Sequence, residues 1–245
     1  MTYALEFALK CYQHGRFDAA LGYLECTLSQ NPRQVAALEL KGIIQRGEGN
    51  FRPALDTLEA AEDIRPLSCV ARLALADCYC VFGYLDLARS HYRGLANQRN
   101  VPSNILSGLA AGLSRVGDME QALEVCREAL AREPDSHQAL YGTVYYMSKT
   151  RHEPADVLPL ARRLVDWAPE IFLYRVAVVT LLEQLERFRE GYLVIADATP
   201  SELASLDCTC CLSRLMRLYE EFGDHRRAGV CHKRLSAGAF GGEHP

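Results

Sequence analysis

Residues 15–32 read GRFDAALGYLECTLSQNP, and the pattern of this stretch returns along the chain with a period of 34 residues. A Gly opens the stretch, an Ala follows five places later, and a Pro closes it. The Gly recurs at Gly49, Gly83 and Gly117, and the Ala recurs at Ala54, Ala88 and Ala122. A fixed period of this length is typical of stacked helix pairs, in which each pair buries its apolar face against its neighbours. The sequence therefore predicts an all-α repeat protein.

The first unit, residues 1–34, indicates how one repeat is built. Apolar residues recur throughout positions 2–12, too densely for a single stripe, so we expect this helix to be buried on more than one side. Gly15 is expected to end it, because Gly accepts the left-handed conformation of a helix C-terminus. A second helix is predicted from Phe17 to about Ser29, and Pro32 then forces a new start.

Seven units of this kind are predicted, which corresponds to about fourteen helices. Their ranges are 1–34, 35–68, 69–102, 103–136, 137–171, 172–208 and 209–235, and residues 236–245 are expected to form a flexible tail. The fifth unit has Arg151 in place of the turn Gly, and Pro154 and Pro159 predict that its second helix is kinked or starts late. The sixth unit is lengthened around Thr199 and Pro200.

The second helices carry a further spaced pattern, Ala-x3-large-x7-Pro. It reads Ala20, Leu24, Pro32 in unit one; Ala54, Leu58, Pro66 in unit two; and Ala122, Cys126, Pro134 in unit four. In this pattern the chain resembles the tetratricopeptide repeat family. The resemblance implies a right-handed superhelical α-solenoid of stacked helix–turn–helix repeats. It also implies that the first helix of each unit lines a concave groove.

Projection of the helical period onto the first helices gives the residues expected to line this groove. The predicted binding residues are Leu5, Leu9, Tyr12, Ile43, Arg46, Asp77, Tyr141, Tyr145 and Lys149. Tyr141, Tyr145 and the adjacent Tyr146 are the strongest candidates for a contact patch, because Tyr combines a large contact area with a polar tip. The alternative is that one or two of these rings pack between units.

Charge and hydropathy argue against several classes of partner. The net charge is −4 and the pI is near 6.0, whereas a nucleic-acid surface normally has a clustered positive excess. No apolar run approaches the ~20 residues of a membrane span. No secretory leader is visible after Met1, so a cytoplasmic location with reduced cysteines is predicted.

Catalytic motifs are not recognisable in the chain. No His pairs with a Ser or Cys in a nucleophile motif, and no Gly-rich segment has the Lys of a phosphate-binding loop. We therefore predict no enzyme activity and no cofactor.

The densest sulfur cluster is Cys208-Thr209-Cys210-Cys211. Cys208 and Cys211 have the Cys-x2-Cys spacing of structural zinc sites, but Cys231 and His232 would diverge by about 100° on one helix. Buried packing without a metal is therefore the preferred interpretation, and a metal site or an oxidation-sensitive thiol are the alternatives.

Together these features predict a non-catalytic scaffold that binds a protein or peptide segment in the groove. One alternative is a dedicated chaperone or assembly factor that shields a client segment against Leu5, Leu9 and Ile43. A Cys/His metal-binding protein is a further alternative. A homo-oligomer is also possible, because Leu5, Phe7, Leu9 and Tyr12 are expected to leave apolar surface uncovered at the N-terminal edge.

Overall fold

The computed structural model describes residues 3–238, and within this range it contains fifteen α-helices and no β-strand. The helices are α1 Tyr3–Gln13, α2 Phe17–Gln30, α3 Val35–Gly47, α4 Phe51–Glu62, α5 Cys69–Val81, α6 Leu85–Ala96, α7 Ser103–Arg115, α8 Met119–Arg132, α9 His137–Lys149, α10 Pro154–Trp167, α11 Phe172–Gln184, α12 Phe188–Ile195, α13 Pro200–Ala204, α14 Thr209–Glu221 and α15 His225–Ser236. Consecutive helices pack in pairs. The predicted all-α helical-repeat fold is confirmed. Residues 239–245 of the predicted tail lie outside the described residues.

The chain divides into two compact units, Met1–Val125 and Cys126–Pro245. The first unit contains α1 to α7 and the beginning of α8. The second contains the end of α8 and α9 to α15. The prediction of one continuous solenoid over residues 1–235 stays a prediction.

The recurring Gly residues end the first helices of the pairs. Gly15, Gly49, Gly83 and Gly117 have φ angles of 69°, 79°, 76° and 86°. At Gly49, the amide N–H donates to the carbonyl of Arg46 and the next amide donates to the carbonyl of Gln45. These bonds satisfy carbonyls at the end of α3, as expected for a left-handed C-terminal turn. Glu186 has the same role after α11, with a φ of 58°.

Replacement of Gly49 by Ala should lower the free energy of unfolding by about 1–2 kcal/mol, because an L-residue is strained at this positive φ. The added Cβ would meet no atom within 4 Å, so the cost is one of backbone conformation alone. Gly47 is the matched control, because its Cβ would also meet open space but it is the last residue of α3 and its φ is not positive. Gly47→Ala should be neutral or stabilising by about 0.5–1 kcal/mol. Urea denaturation followed by circular dichroism measures both, and equal effects would contradict this explanation of the period.

The recurring Ala residues lie in the packed interior between helices. Ala20, Ala54, Ala88 and Ala122 are all fully buried. Larger side chains would force the helix axes apart, because close helix packing needs small residues at the crossing.

The first core cluster corrects one predicted groove residue. Leu5 and Ala8 of α1 pack with Ala20 and Leu24 of α2, and Leu5 is only 2% exposed. The prediction that Leu5 lines a binding groove is therefore wrong, as is its predicted role in shielding a client. Leu9 remains 37% exposed. The dense apolar pattern of α1 did not distinguish these two positions.

Two local features of the second unit differ from the simple repeat. Helix α10 does not start late: it begins at Pro154, where proline is favoured at the first helical position, and it continues past Pro159. The lengthened sixth unit contains an additional short helix, α13. Thr199 caps α13 in a reciprocal arrangement with Glu202, whose carboxylate accepts the Thr199 backbone N–H.

Candidate functional site

In the first unit, two predicted groove residues, Arg46 and Asp77, form an ion pair in which the carboxylate is buried. Asp77 of α5 is 5% exposed and forms ion pairs with Arg46 of α3 and Arg115 of α7. The hydroxyl of Tyr92 on α6 donates to the same carboxylate over 2.7 Å. Asp77 therefore positions the two arginines, and its carboxylate is buried beneath them. Arg115 and Tyr92 were not among the site residues predicted from the sequence.

The other predicted residues of this unit retain partial exposure. The Arg46 and Arg115 side chains are 42% and 46% exposed, so their guanidinium groups border solvent. Tyr12 and Ile43 are half-buried. Burial, reinforced by the Asp77 carboxylate, raises the pKa of Tyr92, so its phenol stays protonated and able to donate.

In the second unit, α9 and α11 form an aromatic cluster. The ring centroid of Tyr141 lies 5.2 Å from that of Tyr174 and 6.4 Å from that of Tyr145. The ammonium nitrogen of Lys149 lies 5.5 Å from the centroid of the Tyr145 ring. We call Tyr141, Tyr145 and Lys149 of α9 the tyrosine face. Tyr146 is only 5% exposed, so the prediction that it belongs to a contact patch is wrong.

The ring of Tyr174 is fixed by His137, whose Nδ1 lies 2.7 Å from the Tyr174 hydroxyl. By contrast, the hydroxyls of Tyr141 and Tyr145 form no hydrogen bond with any group in residues 3–238. Burial raises the pKa of both phenols, and neighbouring cysteine thiols add to this effect. Both hydroxyls are therefore neutral donors with unused hydrogen-bonding capacity at neutral pH.

Three cysteines meet at the start of α14, and their sulfur atoms lie within 4.8 Å of one another. We call Cys208, Cys210 and Cys211 the cysteine cluster. Cys208 is the N-cap residue of α14, and its sulfur accepts the backbone N–H of Cys211 at 3.4 Å. Cys208 and Cys211 are buried, whereas Cys210 is exposed.

The cluster differs from the four-ligand arrangement considered from the sequence. Among the described residues, the grouped metal-ligand atoms comprise the cysteine cluster and include neither Cys231 nor His232. Cys231 is fully buried in the core, which agrees with the packing interpretation for that residue, and His232 is exposed.

The thiols of the cysteine cluster differ in pKa. Burial raises the pKa of the Cys208 thiol, but hydrogen bonds from Cys210 and Cys211 outweigh burial and bring its pKa below the usual value. Burial raises the pKa of Cys211 strongly, and its hydrogen bond with Cys208 adds to the rise. Cys208 is therefore the thiol of the cluster that ionises first.

Side-chain contacts link α11 to α14 beside these groups. Arg214 of α14 pairs with the Glu183 carboxylate over 2.7 Å and donates to the Thr180 hydroxyl over 2.8 Å. Burial raises the pKa of Glu183, although Arg214 opposes the shift. Ring contact between Tyr141 and Tyr174 links α9 to α11 in turn, and Cys208 and Cys210 are near enough to Tyr145 to raise the pKa of its phenol.

No helix in residues 3–238 is long and apolar enough to cross a membrane.

Part of the chain matches a known protein family. Residues 5–68 match the family model of the tetratricopeptide repeat. No curated protein sequence is significantly similar to the chain.

Solved structures share the fold over most of the chain. A tetratricopeptide repeat protein from Parabacteroides merdae has a TM-score of 0.67 and 16% identity, covering 97% of this chain and 92% of that chain. PilF of Pseudomonas aeruginosa has a TM-score of 0.61 and 21% identity, covering 84% and 93%. YrrB, described as a tetratricopeptide repeat protein with an unusual peptide-binding site, has a TM-score of 0.59 and 11% identity, covering 71% and 93%. Residues 5–68 therefore match the tetratricopeptide repeat family in sequence, and the solved tetratricopeptide repeat structures share their helical-repeat fold with most of the chain.

Proposed function

We propose that this protein is a non-catalytic interaction module that binds a protein or peptide segment on the surface formed by α9, α11 and α14. The fold generally serves as a protein-interaction scaffold and generally carries no catalytic activity. Tyr141 and Tyr145 are the principal contact residues in this proposal, and Lys149 borders them.

The observation that carries the proposal is the state of the two hydroxyls. Tyr141 and Tyr145 are held by ring contacts, yet neither hydroxyl has a partner among the described residues. Rings that are already ordered lose little conformational entropy on binding, so a partner gains contact area and two hydrogen bonds at low cost. Packing within the chain explains the positions of the two rings, but it does not explain why each ring carries a hydroxyl.

The chemistry of this surface indicates the kind of segment that fits it. Main-chain carbonyls of an extended segment can accept from the two phenols, and apolar side chains can lie against the rings. Lys149 is exposed, so an acidic residue of the segment is favoured beside it. The peptide-binding site described for YrrB supports peptide recognition by this fold.

The test is a Tyr141→Phe, Tyr145→Phe double variant. It should unfold within about 0.5 kcal/mol of the wild type, because no hydrogen bond within the chain is removed. It should bind the partner more weakly by about 1–3 kcal/mol, equivalent to roughly 5–150-fold, because two hydrogen bonds to the partner are lost. Affinity purification from native lysate identifies the partner, and calorimetry then measures both affinities.

The matched control is Tyr23→Phe, Tyr84→Phe, because both of these tyrosines are exposed on the first unit. This control should retain wild-type affinity. Equal affinity of the wild type and the Tyr141/Tyr145 variant would contradict the proposal.

A second candidate surface lies on α1 and α2. The rings of Phe7 and Tyr23 stack with centroids 5.6 Å apart, and Tyr3, Phe7 and Tyr23 remain 84%, 48% and 41% exposed. This aromatic surface favours the client-binding chaperone or the homo-oligomer considered from the sequence. A partner that is lost from the Tyr23→Phe, Tyr84→Phe variant, or self-association in place of a partner, would favour this second surface.

A further inference from the structure

We propose that the cysteine cluster is a Zn²⁺ site, in which Cys208, Cys210 and Cys211 supply three thiolate ligands and the fourth coordination position is open to solvent. This inference stands on the cluster alone and does not depend on the proposed protein-binding function.

The geometry of the cluster is close to that of a bound site. The three sulfur atoms lie within 4.8 Å of one another. Sulfur ligands at ~2.3 Å from one tetrahedral zinc ion lie about 4 Å apart. The sulfur atoms of the cluster would therefore have to approach one another by no more than about 1 Å to bind it. Rotation of the exposed Cys210 side chain can supply part of this movement without disturbing the core.

The N-terminus of α14 stabilises negative charge on the sulfur atoms of the cluster. Cys208 caps the helix, and Cys210 and Cys211 occupy its first turn. The free N–H groups of a helix N-terminus favour thiolates, and the N–H of Cys211 already points to the Cys208 sulfur. Such a hydrogen bond to a ligating sulfur is a common support of metal ligands.

The ligand set selects the class of metal ion. Thiolates bind soft or borderline ions such as zinc, whereas magnesium and calcium require oxygen ligands. Zinc sites with three protein ligands keep a fourth position for water or another group. Arg214 lies one helical turn beyond Cys210, and its positive charge acts on that sulfur and offsets part of the negative charge of a three-thiolate site.

The test is a Zn²⁺ titration of the metal-free full chain, kept reduced by a phosphine, in competition with a chromogenic zinc chelator. The wild type should take up one equivalent of Zn²⁺ at this site. Cys210→Ser should weaken binding at least about tenfold, because a ligand is lost from an exposed position that leaves the core unchanged. Cys26→Ser is the matched control: Cys26 is also exposed on a helix but lies in the first unit, and its replacement should leave the affinity unchanged.

Two further measurements keep the result unambiguous. Circular dichroism of each variant checks that the helices are intact, and Co²⁺ in place of Zn²⁺ should give sulfur-to-metal charge-transfer absorption that weakens in Cys210→Ser. No zinc uptake by the reduced wild type would overturn the proposal. Zinc binding that is as strong in Cys208→Ser and in Cys210→Ser as in the wild type would also overturn it, because the ion would then lie elsewhere.

Discussion

Asp77→Ala should lower the free energy of unfolding by about 2–4 kcal/mol, the largest effect expected for a polar substitution in this chain. The Asp77 carboxylate pairs with Arg46 and Arg115 and accepts the hydroxyl of the fully buried Tyr92. Its loss leaves the Tyr92 hydroxyl without its acceptor in the core. The two arginines are partly exposed and can regain water, which is why we place the effect below that of a fully buried charge pair.

Asp86→Ala is the control for this prediction. The Asp86 side chain is 96% exposed and pairs only along its own helix with Arg89, so its loss should change stability by less than about 0.5 kcal/mol. Urea denaturation at fixed pH, followed by far-ultraviolet circular dichroism, measures both variants. Similar midpoints for the two variants would show that the Asp77 contacts do not stabilise the first unit.

Gly112→Ala should destabilise the chain by about 1–3 kcal/mol, although Ala is the better helix former. A Cβ at Gly112 of α7 would lie 2.5 Å from Cζ and 2.9 Å from Cδ1 of Tyr92. The Tyr92 ring is fully buried, and its hydroxyl is bound to Asp77, so the ring cannot move aside without breaking that hydrogen bond.

Gly22→Ala is the matched control, because Gly22 is also helical but its Cβ would meet nothing within 4 Å. It should be neutral or stabilising by about 0.5–1 kcal/mol. Because Gly112 and Asp77 both act on Tyr92, their substitutions should be non-additive, with a coupling of about 0.5–3 kcal/mol in a double-mutant cycle. Additive effects would contradict the shared role of Tyr92.

The fold could be predicted from the sequence because each repeat needs the same two residue types at the same spacing. The backbone after each first helix needs a left-handed residue, and the helix crossing needs a small one, so Gly49 and Ala54 recur at a fixed period. Glu186 and α13 were not foreseen. Glu186 adopts the left-handed conformation without the residue that usually marks it. Helix α13 depends on a local cap at Thr199 within a stretch that is outside the repeat.

The candidate sites were less accessible, because one sequence position does not determine which way a side chain packs. Helix α1 is apolar on several sides, so Leu5 and Leu9 were assigned alike although only Leu9 is exposed. Arg115 was not predicted because it is 38 residues from Asp77 in the sequence, and the two side chains meet only where α5 and α7 pack together. The sequence did not determine the position of the Cys210 sulfur, because the turn into α14 brings it within 4.8 Å of the sulfurs of Cys208 and Cys211.

The most direct test of the proposed binding surface is a photo-crosslinking residue on the tyrosine face. A p-benzoylphenylalanine residue in place of Tyr145, irradiated in native lysate, should form a covalent adduct with a partner protein. The same residue in place of Arg189, which is exposed on α12, should form none. A partner adduct at position 145 alone would agree with recognition through α9, α11 and α14. Adducts at position 189 alone, or equally at both positions, would contradict it.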